Sequence, residues 1–204
     1  MKKILVIAAS LLLFSGMAGA QNYFNIGYGF ATTTMKFGDM EPDSEDSNAL
    51  FAGVSHNFAL GNKLGFEAGL NFLYDFEHDS EEMLGVKGVI KNDYMGLQMP
   101  LLLNYKLVDS RDLALKLFVG PTLHYGLSNK TVTEADGKDL VTVDYYSDNS
   151  YNRFNACASV AFAGEWMNKF RVKVGYDLGL TDFNNADKIS FKENMIVFSL
   201  GYMF

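Results

Sequence analysis

Seven charged residues in this chain fall among glycines, amides and small residues, on alternate positions of four separate segments. Such charges can be buried only if they are paired and hydrogen-bonded, so their spacing indicates salt bridges inside a folded domain. Pairing Trp166 with Phe170 across a short turn sets Glu165 opposite Arg171, and we expect a salt bridge between these two residues. The predicted charge network comprises Glu67, Asp75, Lys116, Glu165, Arg171, Lys173 and Asp177. Two roles are open for it: a structural plug, or a selectivity or gating filter.

A run of acids without a base lies between residues 37 and 48. Carboxylates in such a cluster could bind Ca²⁺ or Mg²⁺, alongside lipopolysaccharide phosphates. The spacing lacks the Asp-x-Asp-x-Asp-Gly order of a calcium loop, so a solvated, self-repelling loop is the alternative. We assign no resident metal and no cofactor. The candidate loop cation ligands are Asp39, Glu41, Asp43, Glu45 and Asp46.

A serine and a histidine on one strand face are the best candidates for catalysis. His124 and Ser128 could form a nucleophilic pair of the kind used by lipid A deacylases, in which proximity and orientation activate the serine. Their spacing does not match the His-x-Ser-Asn arrangement of those enzymes, and His124 points inward rather than toward lipid. We therefore predict that the protein is not an enzyme, and keep a lipid-modifying activity as a remote alternative.

The elements that must position these residues are strands, because apolar residues alternate with polar or small ones throughout residues 21–204. In the third segment Phe66, Leu70 and Phe72 share one face, whereas Glu67 and Asn71 share the other. Eight segments show this period: residues 24–33, 48–58, 64–76, 96–105, 113–126, 154–166, 170–181 and 196–204. Long polar connections are predicted over residues 37–47, 77–90, 129–152 and 183–191, alternating with short turns over residues 59–63, 107–112 and 167–169.

This pattern predicts an all-β fold, an eight-stranded antiparallel transmembrane β-barrel with up-and-down meander topology. Bulky apolar side chains on one face and charges, amides and glycines on the other are typical of lipid outside and a polar lumen inside. Because an open sheet edge would leave backbone groups unpaired in hydrocarbon, the first strand must pair with the last. Eight strands enclose an interior that side chains fill, so we expect no wide pore. A soluble lipocalin-type barrel, with Phe66, Leu70 and Phe72 inside, is the alternative fold.

The N-terminal residues 1–20 are predicted to be a cleaved signal peptide, followed by one barrel domain over residues 21–204. Lys2 and Lys3 form a basic start, residues 4–14 are almost wholly apolar, and Ala18 and Ala20 occupy the positions that a signal peptidase reads. The apolar run is too short for the roughly 20 residues of a membrane helix. The barrel is therefore expected in the outer membrane of a Gram-negative cell, with both termini in the periplasm.

Composition excludes several other classes of protein. The 204-residue chain has a formal net charge of −7, which argues against nucleic-acid binding, because that needs a basic face. Its single cysteine excludes a disulfide framework and a Cys-based zinc site. With 17 Phe and 11 Tyr it carries too much apolar surface for a disordered chain.

Four motifs give the chain a resemblance to a known family. The segments Leu97–Lys106, Phe118–Pro121 and Gly175–Asp182 resemble the fourth-, fifth- and seventh-strand motifs of the PorT-like outer membrane β-barrel proteins of Bacteroidetes. Gly201, Tyr202 and the terminal Phe204 resemble the C-terminal signal that the barrel-insertion machinery reads. The resemblance implies an integral outer-membrane barrel without an assigned biochemical activity.

The resulting functional expectation is a structural or interaction role at the cell envelope. The expected partners are outer-membrane lipids and lipopolysaccharide, the barrel-insertion machinery, and envelope or host proteins that contact the loops. We expect a monomer. The alternative is a narrow porin-like channel for small solutes.

Overall fold

A computed structural model describes residues 21–38, 40–83, 86–135, 138–147, 150–185 and 189–204. The predicted signal peptide and Asp39 lie outside these ranges. Within them, no helix is long and apolar enough to cross a membrane. The strands are β1 Gln21–Phe37, β2 Asp43–Ala59, β3 Leu64–Met83, β4 Val86–Asp109, β5 Leu113–Ala135, β6 Lys138–Asp144, β7 Phe154–Trp166, β8 Phe170–Gly179 and β9 Ile189–Met203.

Eight of these strands close into an antiparallel ring. Strand β1 pairs with β2 on one side and with β9 on the other, so the first strand closes on the last as predicted. The ring continues through β2, β3, β4, β5, β7, β8 and β9. Because every strand of the ring has two neighbours, no sheet edge is left unpaired where lipid would surround it. The predicted eight-stranded barrel is confirmed.

The ninth strand lies in a region that the sequence pattern assigned to a loop. Strand β6 pairs only with the distal part of β5 and extends that hairpin beyond the ring. Thr131, Val132 and Thr133 face Val143, Thr142 and Val141 across this hairpin, and β-branched residues favour strands. The prediction of a loop over residues 129–152 was therefore wrong for this part.

The first two long connections are also shorter than predicted, because the strands continue into them, whereas the last keeps its predicted length but is shifted to residues 180–188. Strand β2 begins at Asp43, β3 and β4 extend to Met83 and from Val86, and β9 begins at Ile189. Water can reach both faces of a hairpin that projects beyond the barrel, so its strands need no apolar face. Backbone pairing then continues without the period-two pattern from which we predicted strand limits. We call this end of the barrel the long-hairpin end, and the opposite end the short-turn end.

The two faces of the barrel wall have inverted polarity compared with a soluble protein. Phe72, Tyr176 and Phe198 point outward and remain 47%, 41% and 49% exposed. Glu67, in contrast, is 0% exposed, and Arg171 is also buried in the lumen. The soluble lipocalin-type alternative, which required Phe72 inside, is contradicted. An apolar outer surface of this extent is what a lipid bilayer covers.

Candidate functional site

Glu67 stands at the centre of a buried ion-pair cluster near the short-turn end. Its two carboxylate oxygens are held separately: Oε2 by the Arg171 guanidinium and Oε1 by Lys173 Nζ at 3.0 Å. Glu67 comes from β3 and both cations from β8, on the opposite side of the lumen. The cluster therefore spans the interior of the barrel.

Arg171 adds contacts to two further strands. Its Nη2 donates to Asn25 Oδ1 at 2.9 Å on β1 and to Ser55 Oγ at 3.1 Å on β2. The guanidinium carbon lies 3.9 Å from the centroid of the Tyr23 ring, a cation–π contact. One side chain thus links strands β1, β2, β3 and β8.

A second ion pair joins β5 to β7 beside this cluster. Lys116 Nζ lies 2.7 Å from Glu165 Oε2, and both side chains are buried. Glu165 and Arg171 are cross-strand partners, as predicted. The expected salt bridge between them was wrong, because Glu165 contacts Lys116 while Arg171 reaches across the lumen to Glu67. The five residues Glu67, Lys116, Glu165, Arg171 and Lys173 are called the plug.

The remaining two members of the predicted network lie outside the plug. Asp177 accepts a long contact from Gln98 Nε2 at 3.5 Å and lines, with Lys173, an inner cavity of about 40 Å³. Asp75 lies further toward the long-hairpin end, where its Oδ2 accepts from Ser47 Oγ at 3.0 Å. The seven residues therefore occupy several levels of the lumen instead of one network.

The lumen is less polar than the sequence pattern predicted. Two apolar clusters are buried inside the ring. Their members lie at the inward-facing positions of the alternating pattern. One contains Leu102, Phe118, Ala161 and Ala163, and Lys173 Nζ lies 5.2 Å from the Phe118 ring centroid. The other contains Ala31, Ala49, Phe51, Leu73 and Met195. Apolar packing therefore closes the interior together with the plug.

Gly201, predicted as part of the C-terminal insertion signal, also leaves room for the plug. A Cβ atom there would lie 3.0 Å from Asn25 Oδ1 and 3.3 Å from the Cβ of Arg171. Neither atom can retreat easily, because these two residues hydrogen-bond to each other. The other signal residues, Tyr202 and Phe204, are exposed on the outer surface.

We expect Gly201→Ala to lower the free energy of unfolding by about 1–3 kcal/mol, the usual effect of overpacking a filled interior. Urea titration of the detergent-refolded protein measures it. Gly164→Ala is the matched control, because a Cβ there meets only Leu115 Cδ2 at 3.7 Å, an ordinary contact. Equal stability of the two variants would show that Gly201 is not constrained by the plug.

A larger cavity, about 190 Å³, opens at the long-hairpin end, and we call it the cup. Among the described residues its lining includes four acids, Glu45, Asp75, Asp93 and Glu193, together with one arginine and no lysine. The carboxylate of Asp93 accepts a hydrogen bond at 2.6 Å from the hydroxyl of Tyr74, on the outward-facing side of the wall. Aromatic side chains form much of the remaining wall, namely Tyr94, Tyr145, Tyr146, Tyr151, Phe183 and Phe191.

The aromatic wall of the cup is held together by ring contacts. Tyr145 and Tyr151 stack with centroids 4.6 Å apart and an interplanar angle of 7°. Tyr151 also meets Phe183 and Phe191 edge to face, at 5.5 and 5.8 Å. Burial, together with neighbouring negative charge, raises the pKa of Tyr151 to about 12, so its hydroxyl stays protonated at neutral pH.

The arginine of the cup is already engaged. The Arg153 guanidinium lies 4.3 Å from the centroid of the Tyr146 ring, and its Nη1 donates to the carbonyl oxygens of Gly126 and Leu127, both at 3.1 Å. Burial is the main cause that raises the pKa of Tyr146 to about 12, although the Arg153 charge opposes it. Arg153 therefore stabilises the edge of the cup, which we call the rim, and does not reach across the cavity.

A second rim contact comes from Asp182, in the connection between β8 and β9. Its Oδ1 accepts backbone N–H groups from Asn184 at 3.0 Å and Phe191 at 2.9 Å. Partial burial raises the pKa of Asp182, but these hydrogen bonds outweigh it and hold the pKa below its ordinary value. The ionised carboxylate thus fixes the segment that carries Phe183 and Phe191.

The predicted loop cation site does not assemble in the part of the chain that the structure describes. Asp43, Glu45 and Asp46 belong to strand β2, whose alternation turns Glu45 into the cup and gives Asp46 a hydrogen bond from Thr32 at 2.8 Å. Glu41 lies in the preceding connection, and Asp39 is outside the described residues. No group of three or more potential metal ligands occurs among the described residues.

The candidate catalytic pair is not assembled either. His124 is 3% exposed, its Nε2 has no hydrogen-bond partner, and within the described residues no hydrogen bond connects it to Ser128. The imidazole instead lines the cup.

Comparison with known proteins identifies the architecture. The model of the family described as outer membrane protein beta-barrel domain matches residues 19–185. No curated protein matches the sequence. Among solved structures the chain is similar to Ail, the attachment invasion locus protein of Yersinia pestis, at 13% identity and a TM-score of 0.40, covering 90% of this chain and 99% of that one.

Two other solved barrels show comparable similarity. Neisserial surface protein A matches at 12% identity and a TM-score of 0.43, over 91% of this chain and 99% of that one. The outer membrane enzyme PagL matches at 9% identity and a TM-score of 0.36, over 86% and 98%. Similarity at this level says nothing about the role of this chain.

Proposed function

Because the chain belongs to the outer membrane protein beta-barrel domain family, we propose that it is a closed barrel with a structural or interaction role at the cell envelope. Its place is the outer membrane, and its long-hairpin end faces the cell exterior, as is usual for such barrels. Lipids and lipopolysaccharide surround the wall. Envelope or host proteins contact the hairpins, and the protein acts as a monomer.

The observation that carries this proposal is the burial of the plug. Glu67 is 0% exposed, so neighbouring side chains cover its carboxylate completely. Both of its oxygens bind cations that come from the opposite wall. A conducting path would have to separate these charges, which are costly to leave unpaired in a dry interior.

The narrow channel is the second candidate, and the charges of the lumen are the feature that favours it. In that case the plug would act as a filter instead of a seal. Enzymatic function has less support, because His124 and Ser128 are not connected and the described residues bring no third group to them. We therefore propose that the protein is not an enzyme.

Planar-bilayer recording separates the closed barrel from the channel. We expect no current steps from the wild-type protein, and none from Arg171→Ala, because Tyr23, Phe118 and the four remaining plug residues still fill the lumen. A porin inserted under the same conditions controls for detection. Regular current steps in the wild type that change in size or ion selectivity in Arg171→Ala would establish the filter and refute the closed barrel.

The proposal also covers the family subgroup of the chain, its export and its insertion into the membrane. We propose that the chain belongs to the PorT-like group, which the motifs at Leu97–Lys106 and Gly175–Asp182 support. We also propose that a signal peptide over residues 1–20 directs export. The insertion machinery then recognises Tyr202 and Phe204.

A further inference from the structure

We propose that the cup is a binding site for a small organic cation that carries two or more amino groups. This goes beyond the closed-barrel function and does not depend on it, because the cup opens at one end only and the plug lies below it. The ligand would enter from the long-hairpin end.

The charge of the cup is the first reason. Among the described residues, three inward-facing acids, Glu45, Asp75 and Glu193, line it against one guanidinium, and that guanidinium is engaged with Tyr146 and with backbone carbonyls. Low-dielectric walls around charges of one sign concentrate the potential in a cleft and attract the opposite charge. An anionic ligand would meet repulsion at this site.

The spacing of the acids favours an organic cation over a metal ion. In the part of the chain that the structure describes, no three His, Cys, Asp or Glu side chains come close enough together to hold a metal ion. The inward-facing acids come from different strands: Glu45 from β2, Asp75 from β3 and Glu193 from β9. Ammonium groups separated by a short chain can each reach one wall.

The aromatic wall and the size of the cup further restrict the class of ligand that could bind there. Tyrosine faces attract ammonium groups through cation–π contacts, as Tyr146 already does with Arg153. The cavity of about 190 Å³ is smaller than the roughly 300–1,000 Å³ of pockets for drug-sized ligands. It therefore suits a polyamine or a molecule of similar size.

A second, independent observation comes from His124. This side chain is 3% exposed and lines the cup, and its Nε2 has no hydrogen-bond partner. Buried polar atoms are normally satisfied, so an orphan at a cavity wall points to a ligand or solvent group that completes it. With the ring proton on Nδ1, Nε2 accepts a hydrogen bond from an ammonium N–H.

Titration calorimetry with spermidine, on the full chain refolded in detergent, tests the proposal. We expect saturable binding with one spermidine per barrel. Asp75→Asn is expected to weaken it about tenfold, the effect of losing one charged hydrogen bond. His124→Phe, which keeps a flat ring, is expected to weaken it several-fold. The matched control is Asp112→Asn, which removes the same charge from an exposed turn at the opposite end and should leave the affinity unchanged.

Each alternative explanation of the cup predicts a different binding result. Equal affinity in Asp75→Asn and Asp112→Asn, or no saturable binding of spermidine, would overturn the proposal. Magnesium chloride competing as effectively at equal charge would reduce it to a non-specific ion atmosphere, and saturable binding of maltose in place of spermidine would make the cup a neutral-sugar site. None of these results depends on bilayer current, so failure of this site and failure of the closed barrel are distinguishable.

Discussion

Replacing Arg171 with Met is expected to lower the free energy of unfolding by about 3–5 kcal/mol, the usual cost of removing one partner of a buried ion pair. Met keeps much of the volume and leaves the charge of Glu67 without its main partner. Lys173 would still reach Oε1 of Glu67, but Oε2 would lose the guanidinium. Asn25 and Ser55 would lose a donor at the same time.

The single tryptophan of the chain makes this measurement specific. Trp166 lies on the outer surface beside the short turn that connects β7 to β8, so its emission reports whether this part of the wall is in lipid or detergent. Urea titration of the refolded variant in detergent micelles gives the free energy of unfolding. The slope of the transition shows whether the variant unfolds in the same way as the wild type.

Lys106→Met is the matched control, because it breaks an ion pair on the surface. Lys106 Nζ and Asp109 Oδ2 lie 3.0 Å apart near a short turn, and both side chains are partly or largely exposed. Such pairs contribute about 0–1 kcal/mol. If Arg171→Met cost no more than this control, the plug would not be a dry, structural element, and the closed-barrel proposal would lose its main support.

The orientation of the wall was predictable because lipid and lumen impose opposite demands on neighbouring residues. Phe72, Tyr176 and Phe198 point outward, and Glu67 and Lys173 point inward, as alternation indicated. A shift of one residue in any strand would turn its whole apolar set into the lumen. The polarity of the two faces therefore fixes which side each residue takes, even where the strand ends were misjudged.

The partners within the lumen could not be read from alternation. Cross-strand pairing places Glu165 beside Arg171, yet the two groups contact residues on other walls. Arg171 reaches residues that are 104 to 146 positions away in sequence, and only the curvature of the closed ring brings them together. The alternating pattern is sufficient to predict that Tyr23 points into the lumen. It is not sufficient to predict the contact between the Tyr23 ring and Arg171.

The cup was missed for a different reason. Its walls come from the parts of β2, β4 and β9 where both faces are polar and the period-two signal fades. Alternation predicts a loop at Glu45 and assigns no partner to Arg153, whose contacts are with a ring and two carbonyl groups. Residues of this kind become recognisable only when the register of the hairpins is known.

The plug and the cup divide the lumen into two regions with different tasks. Near the short-turn end, each carboxylate of the plug binds at least one cation. Near the long-hairpin end, carboxylates are in excess and lie around open space. A barrel that needed only to be sealed would gain nothing from the second arrangement. A cationic ligand would balance the excess of acids over cations among the described residues of the cup.

Introducing an arginine on the outer face of β8 is expected to have an effect that depends on depth. Val174 lies near the middle of this strand and Phe170 at its short-turn end, and both are exposed on the same face. At the bilayer midplane an arginine costs about 2–4 kcal/mol, and near the interface about 0–1 kcal/mol. Val174→Arg should therefore lower the free energy of unfolding in phospholipid vesicles by about 2–4 kcal/mol, and Phe170→Arg by about 1 kcal/mol at most.

The medium is the control that separates lipid contact from protein packing. Urea titrations of both variants, followed by Trp166 emission, are carried out in vesicles of two acyl-chain lengths. Because a thicker hydrocarbon core places residue 174 further from water, the destabilisation by Val174→Arg should grow with chain length, whereas that by Phe170→Arg should change little. Equal and small effects at both positions would mean that water reaches this face. The apolar outer surface would then have to be covered by something other than a bilayer, and the outer-membrane barrel would be wrong.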